Sequence, residues 1–163
     1  MVEEEIFFMS QALAEARQAR DRGEVPVGAV VVRDGKIIGR GPNSMIGQSD
    51  CTAHAEVVAL RQAGYGTGNY RLPESDIYVT LEPCLMCFSA LVQARIRRLV
   101  YAARDPKTGI FSTGAFHHVQ GIYNHSIQVE SGLLEQQSSD ILKAFFQERR
   151  DAGAVERDGL ENR

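Results

Sequence analysis

Apolar and polar residues alternate with a helical period over the first part of the chain. Across residues 4–22 the apolar positions, among them Leu13 and Ala16, recur every three or four residues. This spacing predicts an amphipathic helix, because it places the apolar side chains on one face. Gly23 follows the pattern and is a plausible stop signal.

The next pattern is that of a β-hairpin. Residues 27–32 form a continuous apolar run, which predicts a buried strand. Asp34-Gly35 directly after it is a strong signal for a two-residue turn. Residues 36–41 should therefore return as the antiparallel partner of the first strand.

The rest of the chain alternates between helical and strand patterns. We predict helices over residues 53–63, 83–94 and 133–150, and short strands over residues 77–81, 99–102 and 127–129. Thr52 is a possible cap for the first of these helices, and Pro83 suits the first turn of the second. A helix between two strands implies a βαβ unit with parallel strands. The order predicts an α/β fold with a sheet of mixed direction and helices on both faces.

The length favours one domain, over residues 1–150 of the 163. Residues 151–163 should form a flexible tail. The connection from Arg104 to His125 is long enough to suggest a functional loop.

Composition places the protein among ordinary soluble proteins of the cytoplasm. Hydrophobic residues make up 44% of the chain and charged residues 24%. No signal peptide or membrane-spanning run is visible, and three cysteines fit a reducing compartment better than a disulfide framework. The net charge of −3 argues mildly against a nucleic-acid partner without excluding one, because local basic patches matter more than the sum.

Candidate chemistry lies in two short motifs. His54 and Glu56 open one predicted helix, and Cys84 and Cys87 open another after Pro83. One imidazole and two thiolates leave a tetrahedral Zn²⁺ with one open position, which is typical of a catalytic zinc. Glu56 is then a spare carboxylate, able to carry protons between a zinc-activated water and a substrate. We expect the two helix N-termini to converge on the metal, with Glu56 beside it and not coordinating it.

Less specific interpretations of the same residues stay open at this point. Cys84 and Cys87 alone could form a redox pair or half of a structural zinc site. A structural site needs a fourth ligand, and Cys51 is the unused cysteine near His54. Otherwise we expect Cys51 to be a small buried thiol.

The motifs resemble those of a known superfamily. The H-x-E and P-C-x-x-C pattern is the signature of zinc-dependent nucleobase deaminases. The chain resembles the cytidine/deoxycytidylate deaminase superfamily and, within it, the bacterial tRNA adenosine deaminases. The resemblance extends from Ala12 to about Arg150. It rests on Glu24–Ala29, Asn43, Thr52–Glu56, Asn69–Leu72, Tyr78–Cys84, Met86-Cys87, Ala103–Asp105, Lys107–Gly109, Phe145-Phe146 and Arg149-Arg150.

The resemblance implies a fold, an activity and a partner. The fold would be a cytidine-deaminase-like three-layer α/β/α domain with a central mixed five-stranded sheet, assembled as a homodimer with one Zn²⁺ per subunit. The activity would be hydrolysis of the wobble adenosine to inosine in a tRNA anticodon stem-loop, with an arginine tRNA as the substrate. A zinc-bound hydroxide would attack C6 of the flipped-out adenine, with Glu56 as the proton shuttle, and ammonia would be released.

The resemblance also implies roles for eight substrate-binding residues. Asn43 would hydrogen-bond the base or ribose, and Asp105 would contact the backbone or sugar of the target nucleotide. Three more would line the base pocket, and three would meet RNA phosphates. The pocket residues are Glu24, Val25 and Leu81, and the phosphate-binding residues are Lys107, Arg149 and Arg150.

Each of these roles has a simpler alternative. Asn43 and Asp105 could be turn residues, since each lies beside a proline. Arg149 and Arg150 could stabilise the end of a helix. The remaining aromatic and histidine candidates are more typical of core or loop positions: Phe145, Phe146, His117, His118 and His125.

One segment departs from the family. Residues 110–126 lack the acidic residue and the His-Pro step that the family usually has there, so no family contacts are carried into them.

Two other functions compete with tRNA editing. The first is a zinc-dependent deaminase of a free base or nucleotide such as guanine, cytosine or deoxycytidylate. The second is a zinc-stabilised RNA-binding scaffold, against which the spare carboxylate of Glu56 argues.

Overall fold

The computed structural model describes residues 2–161. Helices and strands alternate along them much as the apolar patterns predict. The helices are α1 Val2–Asp21, α2 Ala55–Thr67, α3 Leu85–Gln93, α4 Ala115–Val119 and α5 Glu135–Glu161. The strands are β1 Gly28–Arg33, β2 Lys36–Pro42, β3 Asp76–Leu81, β4 Arg98–Ala103 and β5 Gln128–Ser131.

The five strands form one mixed sheet in the order β2-β1-β3-β4-β5. β1 runs antiparallel to β2 and β3, whereas β3, β4 and β5 are parallel. The hairpin turn between β1 and β2 has positive φ at both Asp34 (52°) and Gly35 (70°), as a type I′ turn requires. The parallel β3–α3–β4 unit confirms the predicted crossover.

Helices cover both faces of the sheet. Alternate residues of a strand point to opposite faces, so Val31 of β1 joins one core and Val30 the other. The Val31 core includes residues of α2 and α3, and the Val30 core includes residues of α1. Helix α5 contacts α1, β3 and β4. The three-layer α/β/α arrangement with a mixed five-stranded sheet is therefore confirmed.

Close packing of α1 on β1 depends on Gly28. A Cβ built on Gly28 would lie 2.0 Å from the carbonyl oxygen of Ala12 and 2.4 Å from the amide nitrogen of Ala16. Real carbon atoms do not approach backbone atoms this closely, so any larger residue would push the helix off the strand.

Several element boundaries differ from the prediction. α2 begins at Ala55 with His54 as its N-cap, so Thr52 does not cap it. Instead Thr52 donates its amide and hydroxyl hydrogens to the Asp50 carboxylate. Pro83 precedes α3, whose N-cap is Cys84. α5 continues past Arg150 to Glu161, through a stretch with helix-favouring residues such as Ala154 and Glu156. The flexibility of residues 151–163 stays a prediction.

The connection that departs from the family folds onto α3. It contains the short helix α4, and its aromatic residues surround Phe88. The Phe111, Phe116 and Tyr123 rings lie 5.5, 5.7 and 5.6 Å from the Phe88 ring. Much of this segment is therefore held by an aromatic cluster next to Cys87.

Among the residues that the structure describes, no helix combines the length and apolar character needed to cross a membrane.

Candidate active site

Two helix N-termini bring the predicted ligands together. His54 is the N-cap of α2 and Cys84 is the N-cap of α3, both with extended backbone. Cys87 follows in the first turn of α3 and is fully buried. Nδ1 of His54 lies 3.7 Å from Sγ of Cys84 and 3.5 Å from Sγ of Cys87. The predicted convergence of the two helices is thus present in the structure.

These separations fit a tetrahedral zinc ion. With Zn–S of about 2.3 Å and Zn–N of about 2.0 Å, two ligands at a tetrahedral angle lie about 3.6 Å apart. The three ligand atoms all lie within 4.8 Å of one another. The donor set of one imidazole and two thiols also suits zinc and leaves a fourth position open. Cys51 is exposed and does not belong to this cluster, so the expectation of a buried thiol is wrong.

Electrostatics at the cluster favour a thiolate at Cys84. A hydrogen bond from the Cys87 thiol, assisted by His54, lowers the pKa of Cys84 to about 4. The same hydrogen bond and burial raise the pKa of Cys87. The Cys84 sulfur in turn raises the pKa of His54. The cluster therefore holds one thiolate ready for a cation even before a metal binds.

Glu56 lies beside the cluster with its carboxyl buried. It is in the first turn of α2 and is 4% exposed. Burial raises the pKa of Glu56 above its ordinary value, while a hydrogen bond from Cys87 opposes the shift. A carboxyl in this position can accept a proton from one atom of the site and donate it to another.

The cluster opens into a small cavity of about 180 Å³. This is below the range of roughly 300–1,000 Å³ typical of pockets for drug-sized ligands, so it suits a single base. Four predicted substrate residues line it: Val25, Asn43, Leu81 and Asp105. Four lining residues had no predicted role: Val27, Met45, Glu82 and Thr108. Of these, Glu82 was signalled by its place directly before the Pro83-Cys84 motif.

Glu24 does not line the cavity, in contrast to the expectation. Its buried carboxylate accepts hydrogen bonds from the backbone amides of Ile46 (2.7 Å) and Gly47 (2.9 Å). A buried charge needs such partners, and here they turn the side chain toward the 44–47 loop. Glu24 therefore supports the loop that carries the cavity residue Met45.

The predicted phosphate-binding residues lie outside the cavity. Arg149 donates a hydrogen bond to the Gly23 carbonyl, and its guanidinium lies 4.7 Å from the centre of the Phe145 ring. It borders an apolar groove that shares Val25 and Met45 with the cavity. Arg150 is exposed and donates to the Gln147 side chain at 2.7 Å.

The other candidates fall into separate positions. Lys107 is exposed on the loop between β4 and α4. Phe145 is buried, whereas Phe146 is 44% exposed beside the groove. His117 and His118 are exposed on α4. His125 contacts the Ile96 carbonyl through Nε2 at 2.7 Å, in keeping with the structural role expected of it.

Comparison with known proteins agrees with the motifs. The family model of the MafB19-like deaminases matches residues 3–150. The chain is 49% identical to the tRNA-specific adenosine deaminase of Agrobacterium fabrum over 90% of this chain and 97% of that protein.

Solved structures give the same result. A structure from a study of A-to-I editing by tRNA:A34 deaminases has a TM-score of 0.80 and 49% identity, covering 83% of this chain and 99% of that one. A guanine deaminase from Nitrosomonas europaea has a TM-score of 0.71 and 25% identity, covering 85% and 82%. The chain therefore belongs to the MafB19-like deaminases and, by identity over nearly its whole length, to the family of tRNA-specific adenosine deaminases.

Proposed function

We propose that this protein converts the wobble adenosine of a tRNA anticodon to inosine and releases ammonia. The observation that carries the proposal is the buried carboxylate of Glu56 beside the three-ligand cluster in a base-sized cavity. The substrate comes from the relatives, whose names specify adenosine in tRNA. An arginine tRNA is the proposed substrate on the family resemblance.

We propose that His54, Cys84 and Cys87 hold one Zn²⁺ per subunit. A bound zinc ion acts as a Lewis acid that lowers the pKa of a water toward neutrality. The thiolate favoured at Cys84 and the close approach of the three donors support this assignment.

Glu56 is the proposed proton carrier. The reaction forms a C–O bond at C6 of adenine and breaks the C6–N bond to the amino group. The attacking water gives up both of its protons, one to the ring nitrogen and one to the amino group, which leaves as ammonia. A carboxyl fixed beside the cluster can perform these transfers in turn, because burial holds its pKa above the ordinary range. Its position in the first turn of α2 places it in the cavity wall together with His54 and Cys84.

The cavity walls are proposed to orient the nucleotide. The Asn43 side chain donates to the Val25 carbonyl at 3.3 Å, which fixes the amide orientation. Asn43 is buried and lines the cavity, so it is placed to bond the base or its ribose. Val25 and Leu81 supply apolar contacts, and Asp105, which also lines the cavity, is proposed to contact the sugar or backbone.

RNA phosphates are proposed to meet Lys107, Arg149 and Arg150. All three are exposed cations, and Arg149 borders the groove next to the cavity. Exposed cations can attract a phosphate backbone despite a net charge of −3, because screening limits the reach of distant charges.

We further propose that the protein acts in the cytoplasm as a homodimer. An apolar groove between α2 and α3 exposes Tyr65 (89%) and Tyr70 (71%), a surface suited to a second copy. Sedimentation equilibrium should give twice the chain mass of 18.0 kDa, and a mass of 18.0 kDa would contradict the dimer.

An inosine assay tests the substrate. Zinc-loaded protein is incubated with an anticodon stem-loop carrying a wobble adenosine and, separately, with free adenosine, cytosine and guanine. We expect inosine in the stem-loop and no ammonia from the free compounds. Ammonia from guanine or cytosine alone would favour the free-base activity, an alternative supported by the fold shared with the Nitrosomonas europaea guanine deaminase.

A further inference from the structure

Glu82 is a buried carboxylate at the cavity that neither the metal ligands nor the proton transfers require. It directly follows β3, lies two residues before Cys84 and is 3% exposed. Burying a carboxylate is costly unless its oxygens accept hydrogen bonds. The groups that contact the Glu82 carboxylate therefore indicate its role.

The carboxylate of Glu82 interacts with Tyr101 of β4 and with the loop that follows β4. Ser112 donates its hydroxyl hydrogen to Oε1 at 2.7 Å, and its amide lies 3.4 Å from Oε2. A Cβ built on Gly109 would lie 1.2 Å from Oε2, so the Gly109 backbone rests directly on the carboxylate. The Ile110 amide donates to the Pro83 carbonyl at 3.0 Å. The segment 109–112 is thus attached to the end of β3.

The residues just before this attachment form a closed turn. The Asp105 carboxylate accepts the Lys107 amide at 3.0 Å and the Thr108 hydroxyl at 2.7 Å. The Gly109 amide donates to the Asp105 carbonyl at 2.9 Å. Because these bonds are internal, the turn 105–109 holds its own shape, and its place is set by the end of β4 on one side and by the contacts of Gly109 on the other. Asp105 and Thr108 of this turn line the cavity.

We propose that Glu82 is a positioning residue, whose carboxylate places the turn 105–109 as one wall of the cavity at a set distance from the reacting base. It acts through the loop and not on the reacting atoms. For the identity of the substrate this inference rests on the proposed function. Glu82→Gln keeps the size of the side chain but removes its charge, so the charge-assisted hydrogen bond with the Ser112 hydroxyl becomes a weaker neutral one.

Steady-state kinetics of Glu82→Gln on the stem-loop test the proposal. We expect KM to rise about tenfold while kcat stays within about twofold, because contacts that hold substrate and transition state equally change KM alone. Zinc should stay at one ion per subunit. A fall in kcat at unchanged KM, or loss of zinc, would overturn the positioning role.

Double variants separate this role from general destabilisation. Ser112→Ala removes the hydroxyl that donates a hydrogen bond to Glu82. In the double variant with Glu82→Gln, the Ser112→Ala substitution should therefore raise KM little further. Ser89→Ala is the matched control, since it removes a serine hydroxyl that contacts Tyr123 in the same connection at 2.7 Å. Its effect should add to that of Glu82→Gln. Additive effects of Ser112→Ala would count against the proposal.

Hydrogen exchange decides the question without a substrate. Amides of residues 109–112 should exchange about tenfold faster in zinc-loaded Glu82→Gln than in the parent protein. If Glu82→Gln does not fold, Ser112→Ala is measured instead and should show a smaller increase. The two proposals fail on different results. A stem-loop left unchanged by the parent protein would contradict the proposed function. Unchanged exchange of residues 109–112 in these variants would contradict the positioning role of Glu82.

Discussion

Glu56→Ala is expected to lower kcat by about a thousandfold or more while the protein keeps its fold and its zinc. Positioned general acid–base catalysis contributes roughly 10²–10⁴-fold, and here one carboxyl serves several proton transfers. Glu56 is buried, and its raised pKa shows that the site disfavours its charged form. Removing it should therefore cost little stability. Single-turnover inosine formation, zinc content and the unfolding midpoint measure the three quantities.

Glu15→Gln is the matched control for this variant. Glu15 is also a buried glutamate, 5% exposed, but it lies on α1 and pairs with Arg40 at 3.5 Å, away from the cavity. Its turnover should stay close to that of the parent protein. Retained turnover in Glu56→Ala would remove Glu56 from its assigned role, and simultaneous loss of zinc would make it a support of the metal site instead.

Cys87→Ser is expected to abolish both zinc binding and turnover. Cys87 is fully buried and lies 3.5 Å from the His54 ring nitrogen, and a serine hydroxyl in its place is a much weaker zinc ligand than a thiolate. With one of three protein ligands weakened, zinc content should fall from about one per subunit toward zero, and activity should fall at least a hundredfold. Metal analysis after dialysis and the inosine assay give the two values.

The exposed Cys51 supplies the comparison. Cys51→Ser removes a thiol three residues from His54 that lies outside the ligand cluster. It should keep zinc and activity. Zinc loss in Cys51→Ser, or a full complement of zinc in Cys87→Ser, would show that the ligand set is assigned incorrectly.

The members of the candidate metal cluster could be predicted from sequence because their geometry is local. His54 and Cys84 are helix N-caps, and Cys87 lies in the first turn beyond Cys84, so short motifs place each side chain at a helix N-terminus. The apolar patterns likewise predicted the mixed sheet, because strand and helix periods are local properties. The family motifs then indicated that both N-termini serve one site.

The sequence predictions for Glu24 and Cys51 were wrong, and the contact between Gly109 and Glu82 was not predicted. Glu24 was expected in the pocket, but its direction is set by the Ile46 and Gly47 amides more than twenty positions away. Cys51 was expected to be buried, yet the turn before α2 leaves it exposed. The approach of Gly109 to Glu82 likewise joins distant segments, and no periodicity or spacing reveals such a contact.

The most direct test of the account is to sequence a tRNA pool after incubation with zinc-loaded protein. Inosine is read as guanosine by reverse transcriptase, so each edited position is seen in its sequence context. We predict conversion at the wobble adenosine of an arginine tRNA, and none in a parallel reaction with Glu56→Ala. An unchanged pool, or conversion scattered over adenosines outside the anticodon, would contradict the account.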